Sequence, residues 1–112
     1  MTQKLADQTC VPCSGGIPRL NAQDAKSHLK ALSPDWQLDS ETKTLTRRFK
    51  FKGFAKATYL ANLCAWLADQ QGHHPDISFG YGYVVVRLTT HEIGGLSDND
   101  FIWAAKLDAL TA

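Results

Sequence analysis

Two pairs of short strand-like segments constrain the fold of this chain more than any other feature. The first pair lies in WQLDSETKTLTRRFKF, where Leu45 and Phe49 share one parity of an alternating pattern. The second pair is DISFGY and VVVRLTT, with a tight turn expected near Gly82. Alternation of apolar and polar residues indicates half-buried strands, and strands joined by short turns pair antiparallel. We therefore predict a largely antiparallel sheet.

Helical patterns precede, separate and follow the two hairpins. Asn21 is expected to cap a helix that runs to about Leu32. A second apolar helix should end at Gly72, since glycine readily adopts the left-handed conformation of a helix terminus. Ser97 and Asp100 fit a capping box at the start of a last helix. The order α-β-β-α-β-β-α predicts an α+β fold, a four-stranded antiparallel sheet with helices packed on one face.

Length and charge narrow the class of protein. The 112 residues suit one domain. We predict a flexible arm at residues 1–19, which are rich in Gly, Pro and polar residues, and a single domain at residues 20–112. A formal net charge of +1 gives no electrostatic footprint for nucleic acid or an anionic membrane. No apolar run approaches the ~20 residues of a membrane helix, and the N-terminus lacks a secretory signal pattern, so we expect a cytoplasmic protein.

Three cysteines raise the question of metal or redox chemistry. Cys10 and Cys13 form an isolated CVPC, and no second CxxC or matching Cys/His pair accompanies it. We interpret this pair as incidental. Cys64 falls in the apolar pattern of the second helix and is expected to be a small buried side chain. The last helix should bury Trp103, Leu107 and Leu110.

Three of the four histidines surround the second hairpin. His73 and His74 follow directly on Gly72, and His91 follows the last predicted strand. The start of one strand of an antiparallel pair lies beside the end of the other. We therefore expect His73, His74 and His91 to be neighbours in space. His28, on the first helix, is interpreted as solvated surface.

Clustered imidazoles suit proton transfer near neutral pH, because one ring can be charged while another is neutral. Asp69, one helical turn before His73, is placed to orient a ring or to hold its protonated form. Glu92 should point to the opposite face from His91 if the strand continues. A zinc or iron site is the rival interpretation, although adjacent side chains diverge in extended backbone and the i, i+4 chelate spacing is absent. Polar loop residues without chemistry are a third.

At this point a family resemblance becomes visible. HHPD, followed after a valine-rich strand by THEIGGLSDND, resembles the pterin-4a-carbinolamine dehydratase family. The similarity extends from about residue 17 to 110 and includes PDW and RRFKFKGFAKA. It implies the α+β fold described above and a hydro-lyase. This enzyme removes water from 4a-hydroxytetrahydropterin to give quinonoid dihydropterin, which serves recycling of the tetrahydropterin cofactor of aromatic amino acid hydroxylases.

The resemblance also implies roles for individual residues. His73 and His91 would act as acids toward the 4a-hydroxyl, and His74 would position the substrate and assist proton transfer. No metal or other cofactor is implied. The substrate-contacting residues that it implies are Asp69, Gly72, Pro75, Thr90, Glu92 and Asp100. Asp69 stands where relatives often carry glutamate, Gly72 where some carry an acid, and Ile77 where tryptophan is common, so we expect altered affinity rather than lost activity.

Partners follow from the same resemblance. Relatives are homodimers or homotetramers, and we expect the helix near Trp103 and Leu107 to supply the contact between subunits. A functional link to an aromatic amino acid hydroxylase is implied. The alternative function, from another class, is a non-catalytic interaction or dimerisation cofactor that retains the pocket.

Overall fold

The computed structural model describes residues 4–12 and 17–112. Within these ranges it contains three α-helices and four strands, and their order confirms the predicted α-β-β-α-β-β-α. The bounds are α1 Ala22–Leu29, β1 Gln37–Leu38, β2 Leu45–Lys50, α2 Ala55–Gln71, β3 Asp76–Gly80, β4 Tyr83–Leu88 and α3 Asp98–Thr111. Short 3₁₀ helices cover Leu5–Asp7 and His91–Ile93. Cys13, the second cysteine of CVPC, lies outside the described residues.

The first helix begins as predicted and ends earlier. The Asn21 side chain accepts a hydrogen bond from the backbone N–H of Asp24 at 2.8 Å, which satisfies one of the donors exposed at a helix start. α1 ends at Leu29, and i to i+3 hydrogen bonds then tighten the chain as far as Leu32. Leu32 still reaches the core, with 8% of its surface exposed. The shortened helix therefore keeps the predicted apolar contact.

The sheet has the strand order β1-β2-β4-β3, and each neighbouring pair is antiparallel. The two hairpins thus meet through β2 and β4, which pair over six residues from Leu45–Leu88 to Lys50–Tyr83. Val84, Val86 and Leu88 alternate along β4 and are fully buried. This alternation places one face of the sheet in the core, in agreement with the predicted α+β architecture.

The last helix supplies much of the core. Trp103 and Leu107 are fully buried, so their own side chains are core residues. That the helix near them supplies a contact between subunits stays a prediction. Leu110 is 49% exposed, and its predicted burial is wrong. Both buried side chains belong to the hydrophobic core, together with buried residues of the sheet and of α2, because a helix that covers a sheet directs its apolar stripe inward.

The N-terminal arm contacts the domain where the structure describes it. The 3₁₀ helix Leu5–Asp7 packs beside α3, and Lys106 of α3 donates a hydrogen bond to the Ala6 carbonyl at 2.8 Å. Cys10 is buried. The division of the chain between an arm and a domain at residues 19 and 20 stays a prediction. Among the residues that the structure describes, every helix is too short or too polar to span a membrane.

Candidate active site

The end of α2 separates two adjacent histidines. Gly72 terminates the helix with φ 62° and ψ 26°, the left-handed conformation that the sequence predicts. The backbone N–H of His73 then bonds back to the Ala68 carbonyl at 3.3 Å. This turn directs His73 inward, where 5% of it is exposed, and leaves the His74 side chain 65% exposed. The two imidazoles therefore stand in different environments.

His73 contacts a buried carboxylate on another helix. Its Nε2 lies 2.6 Å from Oδ1 of Asp100, which is fully buried in the first turn of α3. An ionised carboxylate only accepts hydrogen bonds, so the ring nitrogen donates. The second carboxylate oxygen accepts from the Thr90 hydroxyl at 2.8 Å and from the Ser97 backbone N–H at 3.0 Å. Asp100 is thus held from three directions, and it holds the imidazole in turn.

The segment after β4 brings the third histidine to the same place. Thr90 and Gly95 pair across a short loop, with the Thr90 N–H donating to the Gly95 carbonyl at 2.8 Å. His91 begins the 3₁₀ helix inside that loop, and Gly94 closes it with φ 63°. The strand ends at Leu88 and His91–Ile93 is a 3₁₀ turn, so the continued strand on which the expected orientation of Glu92 depended does not form, and side chains do not alternate there.

These elements enclose a cavity of about 150 Å³. His73, His74 and His91 all line it, which confirms the predicted convergence of the three imidazoles. The remaining lining residues among those described are Gly72, Thr89 and Glu92. The register explains the meeting, since Asp76 at the start of β3 pairs with Arg87 near the end of β4.

Other residues of the predicted site lie around the cavity rather than in its wall. Asp69 Oδ1 is 3.4 Å from His74 Nε2, with both side chains mostly exposed. Pro75 is half-buried next to them. Thr90 is 1% exposed and Asp100 fully buried, so neither offers surface to a ligand in this conformation. Their side chains contact each other and Ser97, and Asp100 also contacts His73.

His28 is not simply solvated surface, and that interpretation is wrong. Its Nε2 lies 3.1 Å from Asp98 Oδ1, and its ring packs edge-on against Phe101 at 5.3 Å between centroids. The ring therefore supports the start of α3 and stands apart from the residues that line the cavity described above.

Sequence reasoning missed the role of two hydroxyl residues. Thr89 lines the cavity and donates a hydrogen bond to the Lys43 carbonyl at 2.7 Å, which ties the site to the turn of the first hairpin. Ser97, noticed as a helix cap, also places its Oγ 2.8 Å from Thr90 Oγ1. The capping pattern was the available signal for Ser97. The contact made by Thr89 depends on the pairing of distant strands and leaves no local pattern.

A larger cavity exists away from the histidines. It measures about 440 Å³ between β2 and the first half of α2, and Phe49, Phe51 and Tyr59 form much of its wall. Its charged residues are Arg47 and Lys56, and no imidazole or carboxylate lines it among the described residues. The smaller, histidine-lined cavity is therefore the better candidate for an active site, because acid–base catalysis requires groups that exchange protons near neutral pH.

Metal binding and thiol chemistry find little support in the geometry. No group of three or more His, Cys, Asp or Glu side chains within residues 4–12 and 17–112 is arranged to hold a metal ion. Cys64 is fully buried, as predicted, and burial raises the pKa of its thiol to about 12. Because the thiolate is the nucleophile, this shift keeps Cys64 unreactive at neutral pH.

The fold and the site together define a small α+β protein with a carboxylate-backed histidine cluster at one edge of its sheet. A family model described as "Pterin 4 alpha carbinolamine dehydratase" matches residues 18–110. The chain belongs to the pterin-4a-carbinolamine dehydratase family, which confirms the resemblance seen in its motifs.

Individual relatives agree with this membership. The chain is 48% identical over 108 residues to the Halorhodospira halophila protein named "Putative pterin-4-alpha-carbinolamine dehydratase", a match covering 96% of this chain and 98% of that protein. A Paracoccus denitrificans protein of the same name is 49% identical over 96 residues, covering 86% and 89%.

Two solved structures are also similar. A "transcriptional coactivator/pterin dehydratase" from Brucella melitensis superimposes with a TM-score of 0.77 at 33% identity, covering 85% of this chain and 100% of that one. A "pterin dehydratase-like protein" described as a RuBisCO assembly factor in the alpha-carboxysome gives a TM-score of 0.59 at 29% identity, covering 70% and 90%. The names of these two neighbours therefore include roles other than catalysis.

Proposed function

We propose that this chain is a hydro-lyase that dehydrates 4a-hydroxytetrahydropterin to quinonoid dihydropterin. The observation that carries the proposal is the meeting of three imidazoles around one cavity, with one of them bound to a buried carboxylate. Membership of the dehydratase family agrees with it. The activity would serve recycling of the tetrahydropterin cofactor of aromatic amino acid hydroxylases, with the cytoplasm as its expected compartment.

The reaction consists of proton transfers around one bond cleavage. The C4a–O bond breaks, and a protonated imidazole donates a proton so that the oxygen leaves as water. N5 loses its proton to a base, and its electrons form the C4a=N5 double bond. The products are quinonoid dihydropterin and one water molecule, so atoms and charge balance. A poor leaving group and a nearby N–H proton that must be removed call for general acid and base groups, each contributing typically ~10²–10⁴-fold.

The environments of the three rings support different roles. His73 is backed by Asp100, and a carboxylate behind an imidazole fixes its tautomer and stabilises the imidazolium. We assign His73 and His91 as the acids that reach the 4a-hydroxyl from different sides of the cavity. His74, exposed and close to Asp69, is assigned to positioning the substrate and assisting proton transfer.

The size of the cavity bears on how substrate binds. At about 150 Å³ it is smaller than the ~300 Å³ typical of pockets that enclose a whole ligand. We infer that it receives the reacting edge of the bicyclic ring. Gly72, Glu92 and Thr90, with Pro75, Asp69 and Asp100, are assigned to shaping or supporting this contact.

The decisive experiment is an assay with freshly generated 4a-hydroxytetrahydropterin, measured above the uncatalysed background. His73→Ala, His74→Ala and His91→Ala are compared with the unchanged protein. We expect the better acid to lose at least ~100-fold in kcat, the scale of general acid–base catalysis. His28→Gln is the comparison, because it changes the remaining histidine, which lies outside the cavity, and should lower the rate far less than the cavity variants do.

Equal rates in the unchanged protein and in all three alanine variants would reject the assignment. Circular dichroism and unfolding curves show whether each variant is folded, so a loss of rate is not mistaken for a loss of structure. Stoichiometric zinc that survives dialysis would instead favour the metal-binding interpretation.

A second candidate is a non-catalytic interaction protein that retains the pocket. The coactivator and assembly-factor titles of the two structural neighbours favour it. So do Tyr59 and Trp66, two turns apart on α2 and 68% and 53% exposed, which form an aromatic surface suited to protein contact. We propose that this surface supports a homodimer or homotetramer. Under the second candidate, Trp66→Glu abolishes the protein–protein association made by this surface, whereas the histidine variants still associate.

A further inference from the structure

A short piece of the N-terminal arm lies across the place where α2 ends and α3 begins. The backbone N–H of Cys10 donates to Gln71 Oε1 at 3.0 Å. Gln71 is the last residue of α2 and stands two positions before His73. The next arm residue, Val11, contacts Asn99, which directly precedes Asp100. One dipeptide of the arm therefore touches the neighbours of both members of the His73–Asp100 pair.

The contact with Asn99 is made at two points. Val11 N–H donates to Asn99 Oδ1 at 2.9 Å, and Asn99 Nδ2 donates to the Val11 carbonyl at 2.7 Å. Asn99 is 1% exposed, so its amide is satisfied inside the protein rather than by solvent. A buried amide that loses its partners destabilises the fold, because the cost of removing it from water is no longer offset. The Cys10 thiol adds a weaker contact with the Asn99 carbonyl at 3.5 Å.

The contacts of Cys10 and Val11 add to the positioning that α2 and α3 provide by themselves. The end of α2 sets the position of His73, and the first turn of α3 sets that of Asp100. Apolar packing of the two helices against the sheet adds to this, but such packing is not directional. Hydrogen bonds from Cys10 and Val11 have defined lengths and directions. They join the two ends two residues before His73 and one residue before Asp100.

We propose that the arm dipeptide Cys10–Val11, acting through Gln71 and Asn99, positions the His73–Asp100 pair for the dehydration. This inference rests on the function proposed above. Gln71 and Asn99 are positioning residues, since neither lines the histidine cavity. Catalysis is sensitive to such placement, because a displacement of ~1 Å far from the chemistry can cost ~100-fold in rate.

The test uses full-length variants that remove the hydrogen bonds between the arm dipeptide and one of the two helix ends. Gln71→Leu removes the acceptor for Cys10, and Asn99→Leu keeps the approximate size of the side chain while removing both hydrogen bonds to Val11. Lys106→Met is the matched control, because it removes a hydrogen bond between α3 and the arm at Ala6, away from the pair. Each variant is assayed for kcat and KM. In parallel, the ring N–H resonance of His73 is recorded by NMR at fixed pH.

We expect Gln71→Leu and Asn99→Leu to lower kcat about 10-fold with little change in KM, within the range that misplacement produces. The His73 ring N–H signal should shift or broaden in both variants and stay unchanged in Lys106→Met. A merely structural arm would lower the unfolding midpoint in all three variants and leave this signal in place. That second pattern would overturn the proposal.

The readouts separate this inference from the proposed function. If the unchanged protein shows no dehydration above background, the proposed function fails, and with it the catalytic part of the inference. The NMR signal still decides whether the arm positions the pair. If the protein is active and both leucine variants match it in kcat and in the His73 signal, only the arm proposal is overturned.

Discussion

His73 and Asp100 lie 27 residues apart in sequence, yet their side chains meet at 2.6 Å between Nε2 and Oδ1 inside the protein. Asp69 and His74 form a second carboxylate–imidazole pair, with 3.4 Å between Oδ1 and Nε2, but their side chains are 86% and 65% exposed. Solvent weakens a charge interaction at the surface and leaves it strong in the interior. The two pairs therefore give a direct comparison of a buried and an exposed carboxylate–imidazole contact.

The first prediction concerns Asp100→Asn. All three groups around this carboxylate donate hydrogen bonds, and asparagine replaces one accepting oxygen with a donor, so at least one buried donor loses its partner. We expect a loss of about 2 kcal/mol in the free energy of unfolding. We also expect a fall in kcat of about 10- to 100-fold, the order that misplacing a catalytic group produces.

Asp69→Asn is the control for that change, measured by denaturant unfolding under the same conditions. An exposed ion pair contributes typically ~0–1 kcal/mol, so this variant should unfold within about 0.5 kcal/mol of the unchanged protein. Equal losses of stability in the two variants would contradict the distinction between the pairs.

Gly72→Ala tests the conformation that separates His73 from His74. A Cβ at this position meets nothing within 4 Å, so its cost comes from the positive φ of 62° rather than from a clash. The left-handed conformation costs an ordinary residue about 1–2 kcal/mol, and we expect a loss of about 1 kcal/mol in unfolding free energy. Gly72→Asn is the matched variant, because asparagine tolerates this conformation and should lose less. Identical losses of unfolding free energy in Gly72→Ala and Gly72→Asn would contradict a cost that comes from the left-handed backbone conformation.

Asp108→Ala should be among the most destabilising single changes outside the site. This carboxylate in α3 accepts hydrogen bonds from the Ser33 N–H and the Trp36 indole, each at 2.8 Å, and pairs with the guanidinium of Arg47. Arg47 and Asp108 side chains are 13% and 18% exposed. Removing one partner of a buried pair costs ~3–5 kcal/mol, so we expect about 3 kcal/mol for this partly buried one.

Asp35→Ala provides the comparison, measured in the same unfolding experiment. Asp35 also approaches Arg47, at 3.6 Å, but its side chain is 66% exposed. It should cost less than ~1 kcal/mol. A loss in Asp35→Ala as large as that in Asp108→Ala would show that burial does not govern the strength of this network.

Asp39→Asn is expected to change the pH dependence of stability. Slight burial would raise the pKa of Asp39, but hydrogen bonds from the N–H groups of Thr44, Lys43 and Glu41 outweigh it and lower that pKa. A carboxyl whose pKa is lower in the folded state stabilises the fold above its unfolded pKa of about 3.9. That contribution disappears as the pH falls through the folded pKa.

The unchanged protein should therefore exceed Asp39→Asn in unfolding free energy at neutral pH, and the difference should shrink below ~pH 4. Unfolding curves over this range measure it. Glu41→Gln removes a charge from the same turn without changing the Asp39 side chain, which controls for a general effect of charge. A difference that grows on acidification would mean that folding raises the pKa of Asp39 instead of lowering it.

Much of this protein is determined by local sequence patterns. The alternation along β4, the Asn21 cap, the Ser97–Asp100 capping box and the terminating Gly72 all act within a few residues, and each appears in the structure. Hairpin geometry is enough to predict that the three cavity histidines lie together. The two histidine segments, HHPD and THEIGGLSDND, carry the resemblance to the family whose model matches residues 18–110.

Tertiary structure alone decided which side chains contact each other across long distances in the sequence. Nothing local indicates that Asp100 binds His73, that Asp108 joins Arg47 to Trp36, or that Cys10 contacts Gln71 across 61 positions. Such contacts depend on where helices pack and on the burial that makes each hydrogen bond strong. Periodicity along a chain reports which face of an element is apolar, whereas the identity of the group facing it depends on the packing of distant segments.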